Sequence, residues 1–171
     1  FKTERVVLSA RKPKAKKQVE LDVKSIIEAY RFARIINHIQ GFNLIENASQ
    51  QYGWEYSPSE TARIWTQGCI IRSRLMETLV HSFKTEKSLL NNTAVLGLLE
   101  ENEAGAAAII HHGVDQKIPL ACYSSAYNYW IAICSETLPA NLIQAQRDFF
   151  GAHTYRRVDK AFEQTFHTQW Q

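Results

Sequence analysis

Apolar residues recur every three or four positions along most of this chain, the spacing that gathers them on one face of an α-helix. The longest run follows Asp22, a good N-cap residue, and continues to about Gln51, so it predicts a helix about 40 Å long. Gly41 within it predicts a close helix contact or a bend. The middle of the run is apolar on nearly every face, which is typical of a helix enclosed by other helices or by a second subunit. These middle positions are Phe32, Ile35, Ile36, Ile39 and Phe42.

Shorter helices are predicted on both sides of this run. Residues 1–10 resemble the end of a helix, and the stretch SPSE at residues 57–60 has a serine N-cap, a first-turn proline and a glutamate at the third position. The helix that begins there is expected to reach Phe83, with Gly68 and Cys69 admitting a neighbouring backbone. Further helices are predicted at residues 95–112 with a left-handed cap at Gly113, from Pro119 onward, and at residues 139–150 with a stop at Gly151.

Strand signals are missing from the sequence. It has neither alternating apolar and polar runs nor Asn-Gly or Asp-Gly hairpins, and no repeat at a fixed period. We therefore predict an all-α fold, a multi-helix domain with a long central helix. Beyond Tyr155 the chain is polar and irregular but ends in the apolar stretch FHTQW, which predicts an extended C-terminal tail.

Composition narrows the function classes only slightly. The chain has 171 residues, 45% hydrophobic residues and a formal charge of +3, which suits one compact domain and does not make nucleic acid the first choice of partner. The basic run Arg11 to Lys17 is interpreted as a solvated linker, with a nucleic-acid contact as the alternative. Three cysteines without C-x-x-C spacing indicate reduced thiols. No apolar run is long enough to cross a membrane, so we expect a cytoplasmic protein. A start at Phe1 rather than Met suggests a fragment.

Most of the histidines and cysteines that could bind a metal or act in catalysis are better explained as surface or core residues. His111 and His112 point about 100° apart on a helix and cannot bind one metal together, so a surface position near a helix C-terminus is expected. His38 and His81 have no HExxH partner, and Cys69 is expected to be a buried small residue. We predict no metal site. The sequence has no P-loop, no Ser-His-Asp arrangement and no G-x-G-x-x-G pattern, so any nucleotide cofactor must bind elsewhere.

Arg147 and His153 are the remaining candidates. They flank Gly151, with Arg147 in the last turn of the predicted helix and His153 beyond its end. A guanidinium fork and an imidazole suit an anion, and the rings of Phe149, Phe150 and Tyr155 would partly exclude water from them. The alternative is that Arg147 only caps the helix, where its charge is favourable.

The stretch LPANLIQAQRDFFGAHTY at residues 138–155 closely resembles the C-terminal signature of the decarboxylating 6-phosphogluconate dehydrogenases, with Phe149 in place of a tyrosine. Other segments agree in order: ERVVLSARK, IQGFNLIENA, GCIIRS, KIPLACYSSA and FHTQW. The resemblance covers essentially the whole chain as the C-terminal third of that enzyme. Departures, such as Trp130 and Ile131 for the family's tyrosine and aspartate, indicate a divergent branch.

The resemblance implies a domain organisation. Residues 1–154 would form the helical dimerisation and substrate domain of a longer enzyme, and residues 155–171 a tail that docks on the partner subunit of a homodimer. The N-terminal nucleotide-binding domain, which binds NADP, would be absent from this chain, and the general base and acid would lie upstream of Phe1.

The resemblance also implies a role for the two candidates. Arg147 would hold the phosphate and His153 the sugar acid of 6-phosphogluconate bound in the opposite subunit, in the reaction that yields ribulose 5-phosphate and CO2. The fragment alone would be inactive. The alternative is a non-catalytic helical module of the same family, used for dimerisation or anion binding. No membrane or nucleic-acid partner is expected.

Overall fold

The computed structural model of the chain describes residues 1–11 and 22–170. Seven α-helices form the described part: α1 (Lys2–Arg11), α2 (Val23–Tyr52), α3 (Pro58–Trp65), α4 (Arg74–Thr85), α5 (Thr93–Asp115), α6 (Ala121–Ile133) and α7 (Ala140–Gly151). A short 3-10 turn, Leu89–Asn91, precedes α5. The all-α prediction is thereby confirmed. Most of the basic run, residues 12–17, lies outside the described residues, so its role as a linker stays a prediction.

The described residues fall into two compact units, Phe1–Tyr129 and Trp130–Gln171. The first contains α1 to α5 and most of α6, and the second contains the last turn of α6, helix α7 and the tail. The expected boundary between residues 154 and 155 separates a helical domain from a tail and stays a prediction.

Helix α2 organises the first unit. The Asp22 side chain accepts hydrogen bonds from the backbone N–H groups of Lys24 and Ser25, as predicted for an N-cap. The helix packs along α5, and all five apolar residues of its middle section are buried. Phe42 meets the rings of Phe83 and Trp65, with centroids 4.6 and 5.3 Å apart. Burial of these side chains removes apolar surface from water and so stabilises the unit.

Gly41 does not have the predicted close contact. A Cβ built at Gly41 would meet nothing within 4 Å. The close α2–α5 contact lies instead at Gly105, where a Cβ would be 2.4 Å from Glu28 Cβ and 3.1 Å from the Ser25 carbonyl oxygen. Only glycine permits that approach of the two backbones.

The helix predicted from Ser57 to Phe83 is two helices, so that prediction was wrong in its length. Ser57 caps α3 by accepting from the Glu60 N–H at 3.3 Å, but α3 ends at Trp65 and Gly68 adopts the left-handed region with φ of 64°. A Cβ at Gly68 would meet nothing within 4 Å, so this glycine serves the turn and not a helix contact. Ser73 then caps α4 by accepting from the Met76 N–H.

The cap predicted at Gly113 was also wrong. Helix α5 continues through Gly113 to Asp115, and Lys117 is the residue with a left-handed φ of 58°. The Ile118 N–H donates to the Gly113 carbonyl at 2.7 Å and the Lys117 N–H to the Val114 carbonyl at 3.1 Å, which is a Schellman motif. A Cβ at Gly113 would lie 2.4 Å from a methyl group of Leu120, so Gly113 is required for packing.

Candidate functional site

Helix α7 and the chain that follows it form the candidate site, all of it within the second unit. The helix begins after Pro139 and includes Gly151, one residue beyond the predicted last helical residue, Phe150. Ala152 ends it with φ of 47° and ψ of 40°, and its N–H donates to the Asp148 carbonyl at 2.9 Å. The left-handed residue is therefore Ala152, not Gly151. A Cβ at Gly151 would lie 2.9 Å from the His153 ring, so a larger residue there would displace that ring.

Asp148 is fully buried, and its carboxylate contacts both the residue just before the tail and the last residues of the tail. Oδ1 accepts from the Thr154 N–H at 3.0 Å and contacts His167 Nδ1 at 2.9 Å. Oδ2 accepts from the Thr168 N–H at 3.0 Å and from Trp170 Nε1–H at 2.9 Å. Each oxygen thus has two partners, so this buried carboxylate is fully hydrogen-bonded.

The environment of Asp148 favours its charged form. Burial by itself raises the pKa of this carboxyl, but the hydrogen bonds from Thr168, His167 and Trp170, with the charge of His167, outweigh burial and lower the pKa to about 2. Asp148 is therefore an anion at every pH near neutrality. It acts as an acceptor that fixes the tail and not as a proton donor.

The tail folds back so that its last residues reach α7. Tyr155 and Phe166 exchange both backbone hydrogen bonds at 2.8 Å as an isolated antiparallel bridge, and the Tyr155 hydroxyl bonds the Thr168 hydroxyl at 2.8 Å. The rings of Trp170 and Phe149 meet edge to face, with centroids 5.8 Å apart. The FHTQW ending is thus packed on α7 of its own chain.

Arg147 and His153 are both exposed. Arg147 Nη1 donates to Gln144 Oε1 at 3.5 Å, the outer limit of a hydrogen bond. The His153 ring lies beside the Phe150 ring, with centroids 6.2 Å apart, but Phe150 is itself 73% exposed. The expectation that the rings of this chain shield the two side chains from water was therefore wrong. Among the described residues of the second unit, none shields the two side chains.

A groove of about 930 Å³ opens beside α7 and the tail. Its walls include His153, Arg156, Arg157 and Thr168, but Arg147 does not line it. Arg157 is committed to Asp159 by two hydrogen bonds of 2.8 and 2.7 Å. His153 is therefore placed at a cleft, whereas Arg147 projects from the helix surface next to it.

Sequence reasoning missed Asp148 and Gln144. The Gln144 side-chain amide donates to the Thr154 carbonyl, and Asp148 receives the Thr154 N–H. Spacing of four residues places both on one face of α7, which was the available signal. Nothing local revealed that this face meets the returning tail.

The other candidate residues are not part of this site. His38 is buried with Nδ1 2.6 Å from the Arg34 carbonyl, and burial lowers its pKa. His111 pairs with Asp115 on the surface at 3.2 Å, and His81 is exposed. Cys69 is half-buried, less than expected. Among residues 1–11 and 22–170, no cluster of side chains could hold a metal ion, and no helix is long and apolar enough to span a membrane.

Comparisons with known proteins agree along the whole chain. A family model described as the C-terminal domain of 6-phosphogluconate dehydrogenase matches residues 1–170. The decarboxylating 6-phosphogluconate dehydrogenase of Haemophilus influenzae is 39% identical, over 99% of this chain and 37% of that protein. The NADP(+)-dependent decarboxylating enzyme of Bacillus subtilis is 36% identical, over 93% of this chain and 34% of that protein.

A solved structure gives the same answer for the fold. The 6-phosphogluconate dehydrogenase of Plasmodium falciparum, described in its apo form and in complexes with NADP+ and with 6-phosphogluconate, matches with a TM-score of 0.89 and 29% identity. The match covers 99% of this chain and 38% of that one. The chain thus spans a little more than a third of the length of these relatives. Sequence and fold together show that it belongs to the 6-phosphogluconate dehydrogenase family and corresponds to its C-terminal domain.

Proposed function

We propose that this chain is the C-terminal part of an enzyme that converts 6-phosphogluconate to ribulose 5-phosphate and CO2 with reduction of NADP. The match of the family model along residues 1–170 carries this proposal. In the reaction, the C3 hydroxyl of the substrate is oxidised by hydride transfer to NADP. The resulting β-keto acid loses CO2, and the enediol that remains is protonated.

The chemistry of hydride transfer is assigned to another part of the enzyme. NADP-binding domains place the pyrophosphate at the end of a parallel sheet, beside a glycine-rich turn. The described residues form helices and one isolated bridge, so they do not fit such a cofactor site. We therefore assign NADP binding, the general base and the general acid to a domain that precedes this one in the full-length protein.

Arg147 and His153 would bind the substrate. A guanidinium can donate two parallel hydrogen bonds to phosphate, and an imidazole can donate or accept one from a hydroxyl or carboxylate of the sugar acid. Their exposure at one end of α7 leaves both available to a ligand outside this unit. We propose that this ligand is the 6-phosphogluconate held by the partner subunit.

A homodimer would supply the shielding that the described residues of the second unit do not give. Large apolar side chains of the second unit are exposed, with Leu142 at 77%, Phe150 at 73% and Phe162 at 71%. A second copy that covers them would remove apolar surface from water and enclose Arg147 and His153. We place the dimer in the cytoplasm, where an exposed thiol such as Cys122 stays reduced.

Steady-state kinetics of the full-length protein test the proposal. Arg147→Ala should raise the Michaelis constant for 6-phosphogluconate about tenfold or more, since a hydrogen bond to a charged group contributes about 1.5 to 3 kcal/mol. His153→Ala should act on the same constant. The control is Arg63→Ala, which removes an exposed arginine that pairs with Glu60 on α3. Unchanged constants in both site variants would refute the assignment. A full-length protein without dehydrogenase activity would instead favour the non-catalytic module.

A further inference from the structure

We propose that Gln144, together with Asp148, positions His153 for the sugar acid, an inference that rests on the proposed function. The two side chains hold both polar groups of the Thr154 backbone, the residue directly after His153. The Thr154 N–H donates to Asp148 Oδ1 at 3.0 Å. Its carbonyl accepts from the Gln144 side-chain amide. One face of α7 thereby fixes the peptide units that follow the imidazole.

The backbone around His153 needs this support. Ala152 and Thr154 both have positive φ angles, 47° and 59°, in the left-handed region that residues with a Cβ disfavour. Such conformations persist where the surrounding structure over-determines them. His153 stands between the two, and its ring packs over Gly151. Release of Thr154 would let this turn relax and would move the imidazole.

The stronger hydrogen bond of Gln144 is the one to the turn that carries His153. Its side-chain amide donates to the Thr154 carbonyl, whereas its Oε1 lies 3.5 Å from Arg147 Nη1, the outer limit of a hydrogen bond. It is half-buried and lines the groove that His153 also lines. The amide of Gln144 therefore ties α7 to the turn that carries His153.

A substitution at Gln144 can test the positioning of His153 separately from the anchoring of the tail. Asp148 also holds His167, Thr168 and Trp170, so its replacement would disturb the whole tail. The described hydrogen bonds of Gln144 are to Thr154 and Arg147. Gln144→Met keeps the length of the side chain and removes the donor. Gln146→Met, at an exposed glutamine of the same helix, is the matched control.

The experiment measures the Kd of 6-phosphogluconate for the full-length protein by calorimetry. Gln144→Met should raise this Kd about three- to tenfold, as expected for the loss of one neutral hydrogen bond, and should leave the Kd of NADP unchanged. Gln146→Met should match the unaltered protein. In a His153→Ala background, Gln144→Met should add less than about a twofold change, because a positioning residue acts through the group that it positions.

The outcomes distinguish the two proposals. If His153→Ala and Arg147→Ala leave the Kd unchanged, the proposed substrate-binding role of the two residues fails and the positioning role fails with it. If those variants weaken binding but Gln144→Met behaves like Gln146→Met, only the positioning role is overturned. An equal effect of Gln144→Met with and without His153 would also overturn it, because Gln144 would then act by another route.

Discussion

The indole N–H of Trp170 donates a hydrogen bond to Asp148 Oδ2 at 2.9 Å, although the two residues are 22 positions apart in the chain. This contact ties the end of the described chain to the last turn of α7. The same carboxylate receives the N–H of Thr154, next to His153. The tail and the turn that carries the proposed substrate-binding residue His153 are therefore held by the same carboxylate.

Replacement of that anchor should release the tail. In Asp148→Asn, an NH₂ group replaces one oxygen and faces at least one N–H donor, so a hydrogen bond becomes a repulsive contact. We expect amide hydrogen exchange at Thr168 to accelerate about tenfold or more, as loss of a hydrogen bond to a charged group would allow. Asp159→Asn, at an exposed aspartate that pairs with Arg157, is the control. Equal protection in both variants would contradict the anchoring role.

Packing of the tail on α7 of its own chain should weaken only in strong acid. The pKa of Asp148 is lowered from 3.8 to about 2, so its contribution to this packing is fully present above about pH 4 and is lost as the pH falls through about 2. The Trp170 indole N–H resonance should keep its folded position down to about pH 4 and change below it. A midpoint of this spectral change above pH 5 would show that another group controls the packing of the tail on α7.

Alanine substitutions at two glycines of α5 should change the free energy of unfolding in opposite directions. Gly105→Ala places a Cβ 2.4 Å from Glu28 Cβ and should lower the free energy of unfolding by about 1 to 3 kcal/mol through overpacking. Gly97 has nothing within 4 Å of its Cβ position, so Gly97→Ala should raise that free energy by up to about 1 kcal/mol. Urea denaturation measures both, and a stabilising Gly105→Ala would contradict the close α2–α5 contact.

Removal of residues 166–171 should weaken the proposed homodimer. The truncation deletes Trp170, which is 43% exposed, and leaves Asp148 without three of its partners. Phe162→Ser is a second variant that removes an exposed ring and keeps the contacts of Asp148. Sedimentation should show a higher dimer dissociation constant for both. An unchanged dimer dissociation constant in both variants would count against docking of the tail on the partner subunit.

Helix starts were predictable because caps are local. Asp22 and Ser57 satisfy N–H groups two or three residues ahead, so the signal and its cause lie in one short segment. Helix ends were predicted less well, since glycine is selected both for left-handed turns and for close packing. Gly68 serves a turn, whereas Gly113 and Gly151 lie within helices, at positions where a Cβ would meet the side chain of Leu120 or His153.

The sequence by itself determined the all-α architecture, most helix starts and the stretch that carries Arg147 and His153, because helical periodicity, capping and a contiguous motif act over a few residues. Only the tertiary structure revealed that Asp148 is buried and that Gln144 holds Thr154. Their partners lie 6 to 22 residues away from Asp148 and 10 residues away from Gln144. Such pairings depend on how the chain returns to α7, and a pattern of neighbouring residues does not encode the path of that return.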